Sequence, residues 1–135
     1  MITFDLPYPP TTNNLFINVR RGRIRSQKYD SWIQEAGCEI MRQRPRKVEG
    51  PVSLNYEFQE VHKVNRKRDL GNLEKATTDL LVKHGIIEAD HDLIVRRVSA
   101  NWNAEVEGVR ITIQPVFNRV PETQTESATN DRTRT

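Results

Sequence analysis

The chain is short of several things, and each shortage narrows its function. A single cysteine, Cys38, excludes an intramolecular disulfide and provides no cysteine cluster for zinc. No apolar run approaches the roughly 20 residues that a membrane-spanning helix requires. At the start, MITFDLPYPP puts Asp5, Pro7, Pro9 and Pro10 where a secretory signal would have its apolar stretch. There is no internal repeat, and a cytoplasmic protein without a membrane partner or organic cofactor is the expectation. The 135 residues suit one domain with a real core. Hydrophobic content of 36% and a mean hydropathy of −0.71 describe a polar chain that still folds.

The net charge is only +3, but its distribution says more. Cations bunch at Arg20, Arg21, Arg23 and Arg25, at Arg66, Lys67 and Arg68, and at Arg96–Arg97. Any one such cluster could be a solvated loop. Three of them, one beside a group of carboxylates, point to a phosphate backbone.

Hydrophobic spacing predicts the elements. ITFDL alternates as a half-buried strand, and PYPPTTNN then imposes an extended loop because its prolines fix φ and lack amide donors. LFINVRRGRIR reads as two short strands about a turn at Arg21–Gly22. With Ser26 as N-cap, Tyr29, Trp32, Ile33, Ala36, Ile40 and Met41 recur at helical spacing, predicting an amphipathic helix over 27–43. Val52, Leu54, Tyr56 and Phe58 alternate in a third strand region. A second helix is expected from about Gly71 to His84, closed by Gly85. IVRRVSANWN and GVRITIQPV read as two further strands forming a hairpin. The fold class is thus α/β, a small mixed sheet against two main helices, over residues 1–118. Residues 119–135 are polar, their three cations and three acids cancel, and they bury almost nothing, so this tail is expected to be disordered.

The second helix carries two stripes. Leu73, Ala76, Thr77, Leu80 and Leu81 form the apolar one. Asn72, Lys75 and Asp79 form a polar one that begins just after Asp69, a residue suited to capping the helix or to facing an anion there. Beyond Gly85, IIEADHDL reads as a turn or short loop in which Ile86 and Ile87 should enter the core, and Glu88, Asp90 and Asp92 then alternate into the next strand. Three acids in five residues are costly unless a cation sits among them, and a divalent metal on oxygen ligands is the usual answer. Such a metal polarises a phosphodiester and acidifies an attacking water. His91, between the acids, reads as a surface residue rather than a ligand.

These residues carry a resemblance. LPYPPTTNN, the RGR hairpin and above all RKRDLGNLEKATTDLLVKHGIIEAD resemble the RusA family of Holliday-junction resolvases, collinearly from Ile2 to about Gln114. The resemblance implies a homodimeric endonuclease of bacteria or their phages that binds four-way junction DNA and makes paired, symmetric nicks with Mg²⁺ or Mn²⁺. It implies catalytic roles for Asp69, Asp90 and Lys75, and a DNA-binding role for Asn72. Asp69 and Asp90 would hold the metal, aided by Asp79 or Asp92. Arg20, Arg21, Arg23, Arg25, Arg66, Lys67 and Arg68 would grip the backbone.

One departure is plain, because Gly71 stands where the family's D-x-D-N motif has its second aspartate. A substitute carboxylate (Asp79 or Asp92), a site with more water and fewer protein ligands, and a form that binds junctions without cutting all accommodate it. Two competing classes remain from sequence: a noncatalytic nucleic-acid binding module, and a partner for an acidic protein surface.

Overall fold

A computed structural model describes residues 1–60, 70 and 73–116. In chain order these form β1 (Ile2–Leu6), a 3-10 turn (Thr12–Asn14), β2 (Phe16–Val19), β3 (Gly22–Arg25), α1 (Gln27–Gln43), β4 (Val52–Gln59), α2 (Glu74–Lys83), β5 (Val95–Asn103) and β6 (Val109–Pro115). The four-stranded sheet has the order β1-β6-β4-β5, and β2 and β3 make a separate two-stranded ribbon. Pairing is antiparallel for β1 with β6 and for β6 with β4, and parallel for β4 with β5, so the sheet is mixed as expected. Among the described residues no helix is long and apolar enough to cross a membrane.

Alternation explains the layering. Val52, Leu54, Tyr56 and Phe58 of β4 are fully buried, and Phe4, Leu6, Val109, Ile111 and Ile113 join them on the same face. Onto that face pack Tyr29, Trp32, Ala36 and Ile40 of α1 and Ala76, Thr77, Leu80 and Leu81 of α2, in one continuous core. The opposite face is polar and internally bonded. Asp5 takes two hydrogen bonds from Arg110, Ser99 donates to Asn55, and Asn103 donates to Glu57.

Both helices end for local reasons. The Ser26 hydroxyl accepts from the Tyr29 amide at 3.1 Å, the cap expected of it. α2 closes with the Gly85 amide on the Val82 carbonyl and the Ile86 amide on the Leu81 carbonyl, a Schellman pair with Gly85 at φ 70°. Ile86 and Ile87 then enter the core. Gly37 of α1 faces that end of α2, where a methyl group would lie in ordinary van der Waals contact with the His84 ring, 3.4 Å away.

Five expectations need correction. The β5–β6 hairpin does not form, because β4 lies between the two strands. β4 has the stronger apolar face and takes the centre, whereas β5, with Arg96 and Arg97, suits an edge where charge blocks further pairing. The ribbon turns at Arg20–Arg21, one residue earlier than expected; Val19 pairs with Gly22, whose φ of 125° absorbs the twist. The regular turns of α2 begin at Glu74, not near Gly71, after a turn in which the Leu73 amide meets the Leu70 carbonyl. The proline-rich loop is not extended throughout, because Thr12–Asn14 coil into a 3-10 turn. Met41 is 69% exposed and off the buried stripe of α1.

Two buried hydroxyls give opposite expectations. The Tyr56 phenol is 2.6 Å from the Thr78 hydroxyl, tying β4 to α2, so Tyr56→Phe should lower unfolding free energy by about 1 kcal/mol. Thr77 is buried with no hydrogen-bond partner for its hydroxyl among the described residues, so Thr77→Val should leave stability equal or raise it by about 1 kcal/mol. Gly108 sits at φ 77° with the Leu6 carbonyl against the position of a side chain, so Gly108→Ala should cost on the order of 3 kcal/mol. Chemical denaturation of the three variants checks all of these.

Candidate nuclease site

The polar stripe of α2 is a real surface. Lys75 and Asp79 are one turn apart, and their ammonium and carboxylate lie 3.3 Å from each other, both partly exposed. Pairs of this kind contribute only a few tenths of a kcal/mol, so Lys75 is readily released to another anion. Two tyrosines lie within the field of Asp79. Burial raises the Tyr29 phenol pKa and the Asp79 carboxylate adds to this, against an opposing effect from Arg25. Burial also raises Tyr56, partly offset by its bond to Thr78, with Glu74 and Asp79 contributing further. Asp79 therefore acts electrostatically on tyrosines of both α1 and β4.

The acidic run after α2 is the turn expected for IIEADHDL: residues 86–94 form bends and turns and extension begins only at Val95, so Glu88, Asp90 and Asp92 do not alternate as in a strand. Backbone bonds explain this. The Ile94 and Val95 amides both reach the His91 carbonyl, and the Leu93 amide donates to His91 Nδ1. His91 is thus an organiser of the turn. Glu88 accepts from the Gly50 amide at 2.7 Å, a structural task. Asp90 and Asp92 are exposed, and their carboxylates have no hydrogen bond or ion pair among the described residues.

Topology separates these two groups. The Val48 amide bonds the Ile86 carbonyl, Gly50 bonds Glu88, and the Val52 amide bonds the Ile94 carbonyl. Asp90 and Asp92 are therefore pinned between anchors at the start of β4. Lys75 lies in the first turn of α2, which is entered from the other end of β4. The helix rises about 14 Å between Lys75 and His84 at 1.5 Å per residue. In agreement, no three His, Cys, Asp or Glu side chains gather to form a metal site among the described residues. The chemistry of the donors still fits a hard divalent cation, because exposed carboxylates accept one that keeps several waters. What one described chain lacks is their number in one place.

The basic ribbon is the third component. Arg20, Arg21, Arg23 and Arg25 are all exposed, with Arg25 paired to Asp30 at 2.8 Å and the Arg23 guanidinium 4.8 Å from the centre of the Phe16 ring. Its other face, Ile17, Val19 and Ile24, is exposed and apolar, which sequence reading passed over. The signal was present in the alternation of FINV and GRIR. Asp69, Gly71, Asn72, Arg66, Lys67 and Arg68 lie outside the described residues, as does the expected tail at 119–135.

No curated protein matches the chain. The family model described as Endodeoxyribonuclease RusA matches residues 7–114, most of the chain and nearly all of the described fold. The segment from the proline-rich loop to β6, with Lys75, Asp90 and the arginine ribbon inside it, belongs to the RusA endodeoxyribonuclease family.

Proposed function

We propose that this chain is a metal-dependent Holliday-junction resolvase that acts as a homodimer and cuts four-way DNA by paired, symmetric phosphodiester hydrolysis. The family match over residues 7–114 carries this reading. Support also comes from exposed carboxylates at Asp90 and Asp92, a releasable ammonium at Lys75, and four exposed arginines on one ribbon.

The residues divide the work. Asp69 and Asp90 would hold Mg²⁺, for which Mn²⁺ would substitute, and Asp92 is the better candidate for the carboxylate missing at Gly71, since it is exposed in the same turn as Asp90. The bound metal would polarise the phosphodiester and acidify a water. Lys75 leaves Asp79 and places its compact charge against the phosphate as negative charge grows there. Arg20, Arg21, Arg23 and Arg25, with Arg66, Lys67 and Arg68, hold the flanking backbone. Asn72 orients the phosphate beside them.

The distance along α2 gives the dimer a purpose. In one chain Lys75 and Asp90 belong to opposite ends of the helix, so the two chains complete each other's sites. The first turn of α2 of one protomer meets the Asp90 turn of its partner. A two-fold axis makes two such sites at once, matching the two equivalent strands of a junction. Gly71 and the absence of a three-carboxylate group among the described residues favour, as second reading, a junction binder with little or no cleavage.

Nicking of a labelled synthetic four-way junction separates the readings. Paired cuts in Mg²⁺ or Mn²⁺, none in EDTA and none in linear duplex are expected; tight binding without cuts under either metal would leave the second reading. Asp90→Asn should abolish cutting while junction affinity holds or rises, because a negative charge is removed beside DNA. Lys75→Ala should slow cutting by about a hundredfold or more. Mixing Asp90→Asn with Lys75→Ala tests sharing. Heterodimers with shared sites contain one intact site and should recover single nicks, whereas sites within one chain would give none.

A further inference from the structure

The ribbon has two unlike faces. Paired residues of an antiparallel ladder point the same way, so Ile17 with Ile24, and Val19 beside them, make one face, while Phe16, Asn18, Arg23 and Arg25 make the other. The second face turns toward the body, where the Phe16 ring meets Tyr29 edge-on at 5.8 Å. The first looks outward, with Ile17 48%, Val19 40% and Ile24 51% exposed. Three β-branched side chains aligned on an open face are costly in water unless something covers them.

The mount is stiff. Leu15 is buried at its root, the Ser26 amide and hydroxyl both bond back to the Leu15 and Asn14 carbonyls, and Arg25 is fixed to Asp30. Tyr29 in turn stacks on Trp32 in the core. A projecting element fastened this way can transmit force to whatever it touches.

Charge selects the occupant. Residues 16–25 include four arginines and no acid. A second ribbon laid against this face about a two-fold axis would bring two such sets together, which like-charge repulsion opposes. A polyanion with apolar surface between its charges fits instead, and nucleic-acid bases flanked by phosphates have that pattern. Small apolar side chains enter base steps and unstack them, at an energetic cost in continuous duplex. At a branch point the end pairs already lack a continuous stack, so opening there costs less.

We infer that the β2–β3 ribbon is a wedge, its Ile17–Val19–Ile24 face seated against unstacked bases at the centre of branched DNA and the arginines of its turn, Arg20 and Arg21, on the adjoining phosphates. The inference rests on the proposed junction reading and adds to it the element that separates the arms.

The test uses the full chain in EDTA and a four-way junction carrying 2-aminopurine at the crossover, with the same strand in linear duplex as control. Wild type should raise the junction fluorescence on binding. Ile17→Ser/Ile24→Ser should lose that rise and weaken junction binding on the order of tenfold, with a much smaller loss on duplex. Ile24→Ala should fall between them, and thermal melting verifies that both variants fold. Junction binding by wild type with no fluorescence rise would overturn the wedge alone. No junction binding by wild type would remove the proposed function and the wedge with it. A dimer that dissociates in the double variant, seen by sedimentation, would assign the face to a second copy of the chain and overturn the wedge.

Discussion

Because β4 and β5 run parallel, the chain that leaves β4 at Gln59 must travel back along the sheet before it can pair again at Val95. Parallel neighbours cannot be joined by a tight turn, and a helix is the usual way back. α2 makes that return, and its buried stripe of Ala76, Thr77, Leu80 and Leu81 is what covers β4. The same return separates the chemistry. Whatever stands at the first turn of α2 is at one end of the sheet, and whatever follows Gly85 is at the other. Lys75 and Asp90, only fifteen positions apart in sequence, are held apart by the element that connects them.

Electrostatics then favours an arrangement that only DNA would complete. The ribbon concentrates positive charge with one acid, Asp30, to balance it at the base, and the turn at Asp90–Asp92 exposes negative charge with no cation bonded to its carboxylates among the described residues. Elsewhere some charges are paired, as Arg110 with Asp5 and Arg42 with Glu39, while Glu105 and Glu107 are exposed like Asp90 and Asp92. Surface pairs of this sort contribute little stability. A phosphate backbone with a bound divalent metal would neutralise both surfaces together.

Much of this was readable in sequence, and the failures have physical causes. α1 follows from Ser26 and the recurrence of Tyr29, Trp32, Ala36 and Ile40, and its bounds match because capping and periodicity are local properties. The alternation of Val52, Leu54, Tyr56 and Phe58 identified the central strand for the same reason. Strand order was not readable. The short link from Asn103 to Val109 suits a hairpin, yet it passes over the end of β4, where the Gln59 amide bonds the Gly108 carbonyl. The competition between β4 and β5 for the place beside β6 is decided by burial across the whole sheet, which no local window contains. At the site, residue types were legible but distances were not. The turn at IIEADHDL was legible, but not that His91 shapes it by accepting the Leu93 amide on its ring and the Ile94 and Val95 amides on its carbonyl, so Asp90 and Asp92 do not share an extended face.

Gly71 fits a shared site on the proposed reading. A carboxylate lost from the segment that precedes α2 removes one ligand from a centre that draws on two chains, and the partner's turn brings two acids, Asp90 and Asp92, rather than one. Mg²⁺ keeps several waters and needs few protein oxygens, so the centre can lose a ligand from one chain while retaining its charge from the other. The loss also lowers negative charge where the phosphate must approach, which favours binding as it weakens metal affinity. An enzyme built this way would depend more steeply on metal concentration than on junction concentration, since the protein's own charges already favour the DNA.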